Sequence, residues 1–188
     1  MLTKAFFDHV RSPIFQGSLL QSQVDGMNQL ATAWGKWGDA DLQKLAYVLA
    51  TAAHETAGTM RPIKEMGSQT YLKAKPYYPY IGRGFCQLTW KANYAKADVE
   101  LGLGTKLVDT PDLALDPEIA AQVIVKGMMQ GWFTGKKLSN YIGANGADFV
   151  DARRIINGTD RAVMIAGYAE TFRAALRLSE AAPTTKDP

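Results

Sequence analysis

The sequence predicts a mainly α domain interrupted by an irregular insert over about residues 59–88. Three observations carry this. Apolar residues recur at helical spacing on both sides of the insert, capping signals bracket those stretches, and the insert itself loses the period. It holds Pro62, Pro76 and Pro79 with Tyr71, Tyr77, Tyr78 and Tyr80, so loops with one short β-hairpin are expected there. The 188 residues suit one domain over 1–180, followed by a polar, proline-flanked tail at 181–188 expected to fray.

Each element has its own signal. Leu20, Val24, Met27, Ala31 and Trp34 form the stripe of an amphipathic helix ending near Gly35. Asp39 or Asp41 caps a second helix, whose stripe is Leu42, Leu45, Ala46, Leu49, Ala52 and Ala53 and whose stop is Gly58. A third runs from about Thr89 to Leu101 and stops at Gly102. Asp116-Pro117-Glu118 starts a fourth, with a cap, a first-position proline and a carboxylate facing the helix dipole; it continues toward Gly131. Residues 147–156 and 160–178 read as the last two helices.

Composition excludes several classes. The 7 Phe, 8 Tyr and 4 Trp with a net charge of +3 do not suit a disordered coil. Cys86 is the single cysteine, and with only His9 and His54 beside it neither a disulfide scaffold nor a zinc module is expected; no metal or cofactor is called for. Asp8, His9 and Arg11 break the apolar character of the start, so no secretory signal is expected. No stretch reaches the roughly 18 apolar residues of a membrane span. A soluble chain, with no stable membrane association, is the expectation.

The net charge is too small to imply nucleic acid, but it is unevenly placed. Residues 61–100 carry seven basic and three acidic side chains, while the segments on either side are near neutral. Solvated surface lysines would account for it. An anionic substrate would also be drawn there, over a screening length of about 8 Å.

His54-Glu55-Thr56 closes the second helix where it meets the insert. A carboxyl at the rim of an apolar surface is desolvated, which favours its protonated form and suits a general acid. A lone glutamate at a helix end is also commonly just solvated. Glu65 follows ten positions later; the pair could flank a cleft, as glycoside hydrolysis requires, or Glu65 could pair with Lys64 or Arg61. The densest constellation runs from Tyr80 to Tyr94. Gly82-Arg83-Gly84 allows a tight turn with close backbone approach. Gln87, Thr89 and Asn93 offer neutral hydrogen-bonding groups beside Tyr80, Trp90 and Tyr94, a mixture that suits sugars, although such aromatics also build cores.

Ala53-His54-Glu55-Thr56, Gly82 to Trp90 with Asn93-Tyr94, Thr110 to Pro117, and Ile155-Ile156-Asn157-Gly158 together resemble the family-19 glycoside hydrolases. That is a chitinase group with a lysozyme-like helical fold which includes bacteriophage endolysins. The likeness runs in order from about residue 46 to 176, and the short, disulfide-free chain is more like the endolysin branch. The resemblance implies Glu55 as general acid and Glu65 as the second carboxylate, in an inverting reaction. A second carboxylate at this spacing with a nearby threonine is usual in lysozyme-like endolysins, which implies Thr70. Thr89 would help hold the water, Gln87 and Asn157 would contact sugar, and His54 would orient or pack near Glu55. Tyr80, Trp90 and Asn93 complete the expected substrate contacts. Arg161 would pair with the acidic site residues, while Cys86 reads as a buried, unreactive thiol.

The function expected is thus a muramidase-type endolysin cutting the β-1,4 bonds of peptidoglycan strands. A chitinase acting on N-acetylglucosamine polymers, or an inactive glycan-binding or virion protein, are the alternatives. By the same resemblance, a monomer would be made in the host cytoplasm and reach the periplasm and cell wall through a holin-type pore.

Overall fold

The computed structural model describes residues 2–181; of the expected tail, 182–188 lie outside the described residues. The chain is mainly helical, with α1 (Lys4–Phe15), α2 (Gln21–Trp37) and α3 (Leu42–Glu55) before the insert. After it come α5 (Lys91–Leu101), α6 (Lys106–Asp109), α7 (Pro117–Gln130) and α8 (Ala162–Ala181). The insert holds α4 (Gln69–Lys73) between two-residue strands β1 (Ile63–Lys64) and β2 (Arg83–Gly84). These strands pair antiparallel, Ile63 opposite Gly84 and Lys64 opposite Arg83. They form the short antiparallel hairpin expected in the insert, closed over the long loop that holds α4.

Helix α3 is the axis of the molecule. Every residue from Lys44 to Ala53 is buried, on all sides, because α2, α7 and α8 surround it. Asp41 caps it by accepting from Gln43 N at 2.8 Å. At its far end the chain turns through Ala57 (φ 50°) and Gly58 (φ 77°), and Gly58 N–H reaches back to Ala53 O at 2.7 Å. Glu55 therefore leaves the core at a defined edge. The next loop is seated against α2, where a Cβ on Gly26 would lie 1.8 Å from Met60 O.

Helix α1 carries no expectation from the sequence, since Asp8, His9 and Arg11 obscure its short stripe. Phe6, Val10 and Phe15 are buried, and Phe6 stacks on Phe172 of α8 with centroids 6.0 Å apart. Asp116 caps α7 as expected, its Oδ1 accepting from Glu118 N (2.9 Å) and Ile119 N (3.0 Å). A helix over 147–156 does not form. Ala144-Asn145 makes the two-residue turn between β3 (Ile142–Gly143) and β4 (Gly146–Ala147), and only Asp151–Ile155 coils, as a 3₁₀ helix. The last helix starts at Ala162, two residues beyond Asp160.

Arg83 pins the insert to the helical frame. Its side chain is buried and donates through Nε to Asp112 Oδ1 (2.7 Å) and through Nη1 to Pro79 O (3.1 Å), Ile81 O (3.0 Å) and Tyr94 Oη (3.0 Å). Gly84 (φ 84°) permits the close approach, since a Cβ there would meet Ala114 O at 3.0 Å.

Candidate active site

The end of α3, the segment from Cys86 to Asn93 and the loop carrying Ile156 and Asn157 enclose a cleft of about 390 Å³. Glu55, Tyr77, Gln87, Thr89, Trp90, Asn93, Phe133 and Asn157 line it. Glu55 accepts from Arg153 Nη1 at 2.6 Å; the two side chains are 15% and 4% exposed. Arg153 is itself held by Nε donating to Asp160 O at 3.1 Å. The resemblance implied that Arg161 would pair with the acidic site residues. Arg153 takes that place at Glu55, because the 3₁₀ turn folds its guanidinium against the end of α3.

The polar groups of the cleft wall are held by the backbone. Thr89 Oγ1 donates to Gln87 O (2.7 Å), Asn93 Nδ2 to Thr89 O (2.9 Å), and Gln87 Nε2 to Ile63 O (3.1 Å). Gln87 (φ 54°) and Trp90 (φ 74°) both have left-handed backbones, which aim successive side chains of this turn differently from an extended strand. Trp90 is half exposed and meets Tyr77 edge to face at 5.2 Å. Cys86 also borders the cleft but is buried, and burial, with Glu55 nearby, pushes its thiol far up.

Glu65 lies behind this wall. Its carboxylate accepts from Tyr77 Oη–H (3.1 Å) and Gly82 N–H (3.0 Å), and Tyr77 carries the connection to the cleft. Burial, then the bond to Glu65, raises the Tyr77 pKa. Neither alternative partner of Glu65 is used: Lys64 pairs with Asp112 at 3.1 Å.

Four expected site residues stand elsewhere. His54 lines a separate cavity of about 190 Å³ with Ile14, Gln16 and Tyr168, because adjacent residues at a helix end diverge by about 100°. Burial there lowers its pKa, favouring neutral imidazole. Thr70 is exposed on α4, outside the cleft lining. Tyr80 supports the insert, its ring against Tyr94 at 5.4 Å and its hydroxyl donating to Val108 O. Arg161 is exposed, precedes α8 and makes no ion pair among the described residues; Arg153 pairs with Glu55 instead. Arg153, Tyr77 and Phe133 were missed. Arg153 stands four positions before Asn157, a spacing that could have marked it.

The helical frame thus gathers one carboxylate and several neutral amides around a single cleft. The chain is 30% identical over 132 residues to an endochitinase of Arabidopsis thaliana, covering 65% of this chain and 46% of that one. It is 33% identical over 95 residues to an acidic 26 kDa endochitinase of Solanum lycopersicum, covering 49% and 38%. It spans about half the length of the Arabidopsis endochitinases it matches. Chitinase C from Streptomyces griseus superposes with a TM-score of 0.66 at 22% identity, covering 94% of this chain and 76% of that one. A bacterial family-19 chitinase gives 0.62 at 23% identity, covering 93% and 94%. No family sequence model matches the chain. The chain is related in sequence to the chitinases and has the family-19 glycoside-hydrolase fold.

Proposed function

We propose that the chain is a glycoside hydrolase cutting β-1,4 bonds in peptidoglycan glycan strands. The observation that carries the hydrolase reading is the Glu55–Arg153 pair inside a cleft walled by amides, a hydroxyl and aromatic faces. Glu55 Oε2 gives a proton to the glycosidic oxygen as the C1–O bond breaks. Oε1 keeps accepting from Arg153, whose charge stabilises the carboxylate left behind. Water adds to C1 from the opposite face and loses its proton toward Glu65. Each Glu65 oxygen has one accepted hydrogen bond and a second lone pair, so capacity remains for that proton. Thr89 and Tyr77 hold the water on this route, and inversion follows.

The basic excess of the insert supports the wall polymer, whose stem peptides carry carboxylates. Chitin is the second reading, favoured by the endochitinase relatives. The setting that goes with the first is a phage endolysin released to the wall through a pore. Reducing ends released from permeabilised bacterial walls and from a soluble chitin oligomer separate the readings. Muramic-acid ends are expected; glucosamine ends from chitin alone transfer the assignment to the second reading, and binding without new ends defeats both.

A further inference from the structure

Trp90 and Tyr77 border the cleft together. Tyr77 stands edge-on to Trp90, and the turn that carries Tyr77 is fixed by Tyr78 N–H to Lys75 O (3.1 Å) and Tyr80 N–H to Tyr77 O (2.7 Å). Two residues back, the Lys75 ammonium lies 3.9 Å from the centre of the Tyr71 ring. We infer that Trp90, Tyr77, Lys75 and Tyr71 extend the cleft into a subsite for a carboxylate carried by the glycan, with Lys75 as its anion contact. The inference deepens the wall-polymer reading and rests on it for the natural ligand.

Lys75 differs from its neighbours in being held and unclaimed. Lys64 is paired with Asp112, and Arg83 is buried on the same carboxylate. Among the described residues no carboxylate lies within 4.0 Å of Lys75. Glu65 acts on it from further off, and both Glu65 oxygens already accept from Tyr77 and Gly82. The contact with the Tyr71 side chain, and more weakly the Glu65 carboxylate, push the Lys75 pKa up. A cation stacked on a ring has lost part of its rotamer freedom, so an arriving anion orders less. Trp90, half exposed, offers one face to a sugar ring on the way to this ammonium.

The test is equilibrium binding of the full chain to soluble carboxymethyl chitin and to neutral glycol chitin, at low and at physiological salt. Wild type is expected to prefer the carboxylated polymer by about three- to five-fold at low salt, less at high salt. Lys75→Gln should abolish the preference, Lys75→Arg should keep it, and Lys73→Gln, on an exposed neighbour outside the row, should leave it unchanged. No preference in wild type, or a preference that survives Lys75→Gln, overturns the inference. Binding is read separately from wall cleavage. A chain that shows the Lys75 effect yet releases no muramic-acid ends would sink the wall reading and leave the anion subsite standing.

Discussion

Arg153 Nη1 lies 2.6 Å from Glu55 Oε1, joining residues 98 positions apart in a contact almost closed to solvent. The pair ties the last turn of the central helix to the short 3₁₀ turn before Asn157, so one contact serves both the fold and the cleft. A charge pair this shielded is costly to break from one side, because the remaining charge is left without its partner.

Glu55→Gln is expected to lower kcat by about two to four orders of magnitude, since it removes the proton donor. Its amide oxygen still accepts from Arg153, so the thermal midpoint should stay within a few degrees of wild type. Reducing-end release and calorimetry on the same samples check both parts. Near-normal turnover would remove Glu55 from the chemistry.

Arg153→Met is expected to cost about 3 kcal/mol of stability, by urea titration, and to lower kcat more than it raises KM. Adding Glu55→Gln should cost less than the two single effects combined, because both changes act on one contact. Strict additivity would mean that the pair is not a functional unit.

Glu65→Gln is expected to reduce kcat by about a hundredfold or more, and Tyr77→Phe by less, since Thr89 still holds the water when the phenol is gone. Equal effects on kcat for the two variants would argue that Tyr77 holds the water by itself. An unaffected Glu65→Gln enzyme would place the base elsewhere.

Gly26→Ala tests the seat beneath the active-site loop. Its added carbon collides with Met60 O, a backbone atom that cannot swing away, so a loss of about 3 kcal/mol and several degrees of midpoint is expected. A stable variant would show that the loop carrying Met60 moves freely.

Asp112 links stability to pH. Burial acts to raise its pKa, but the hydrogen bonds from Arg83 and Lys64 outweigh it and hold the carboxyl below its ordinary value of 3.8. A depressed carboxyl stabilises the fold fully above the unfolded value and loses that contribution as pH falls through the folded one. Asp112→Asn should therefore cost about 1 kcal/mol near neutral pH, modest because Asp112 is largely exposed. The gap from wild type should narrow in urea melts as pH falls below 3.8.

Much of this was legible before folding. The caps at Asp41 and Asp116 were readable because a cap is a contact between neighbours in sequence. Glu55, Gln87, Thr89, Trp90, Asn93 and Asn157 were legible as a set, and they do line one cleft. Helix α1 was hidden because its face is only a few apolar residues wide, and the β3–β4 hairpin, whose second strand takes Ala147 out of the helix expected over 147–156, was not foreseen.

What sequence by itself determined was the helical class, the two segments that supply the cleft and the carboxylate at the end of α3. The helical class and the place of that carboxylate follow from local periodicity and capping, the Gln87–Asn93 segment from its mix of neutral polar and aromatic groups, and the Asn157 segment from the family resemblance. Only the tertiary structure decided that Arg153 rather than Arg161 meets Glu55, that His54 turns to another cavity, and that Glu65 reaches the cleft through Tyr77. Those outcomes depend on how elements far apart in the chain pack, and side-chain direction at a helix end changes by about 100° per residue.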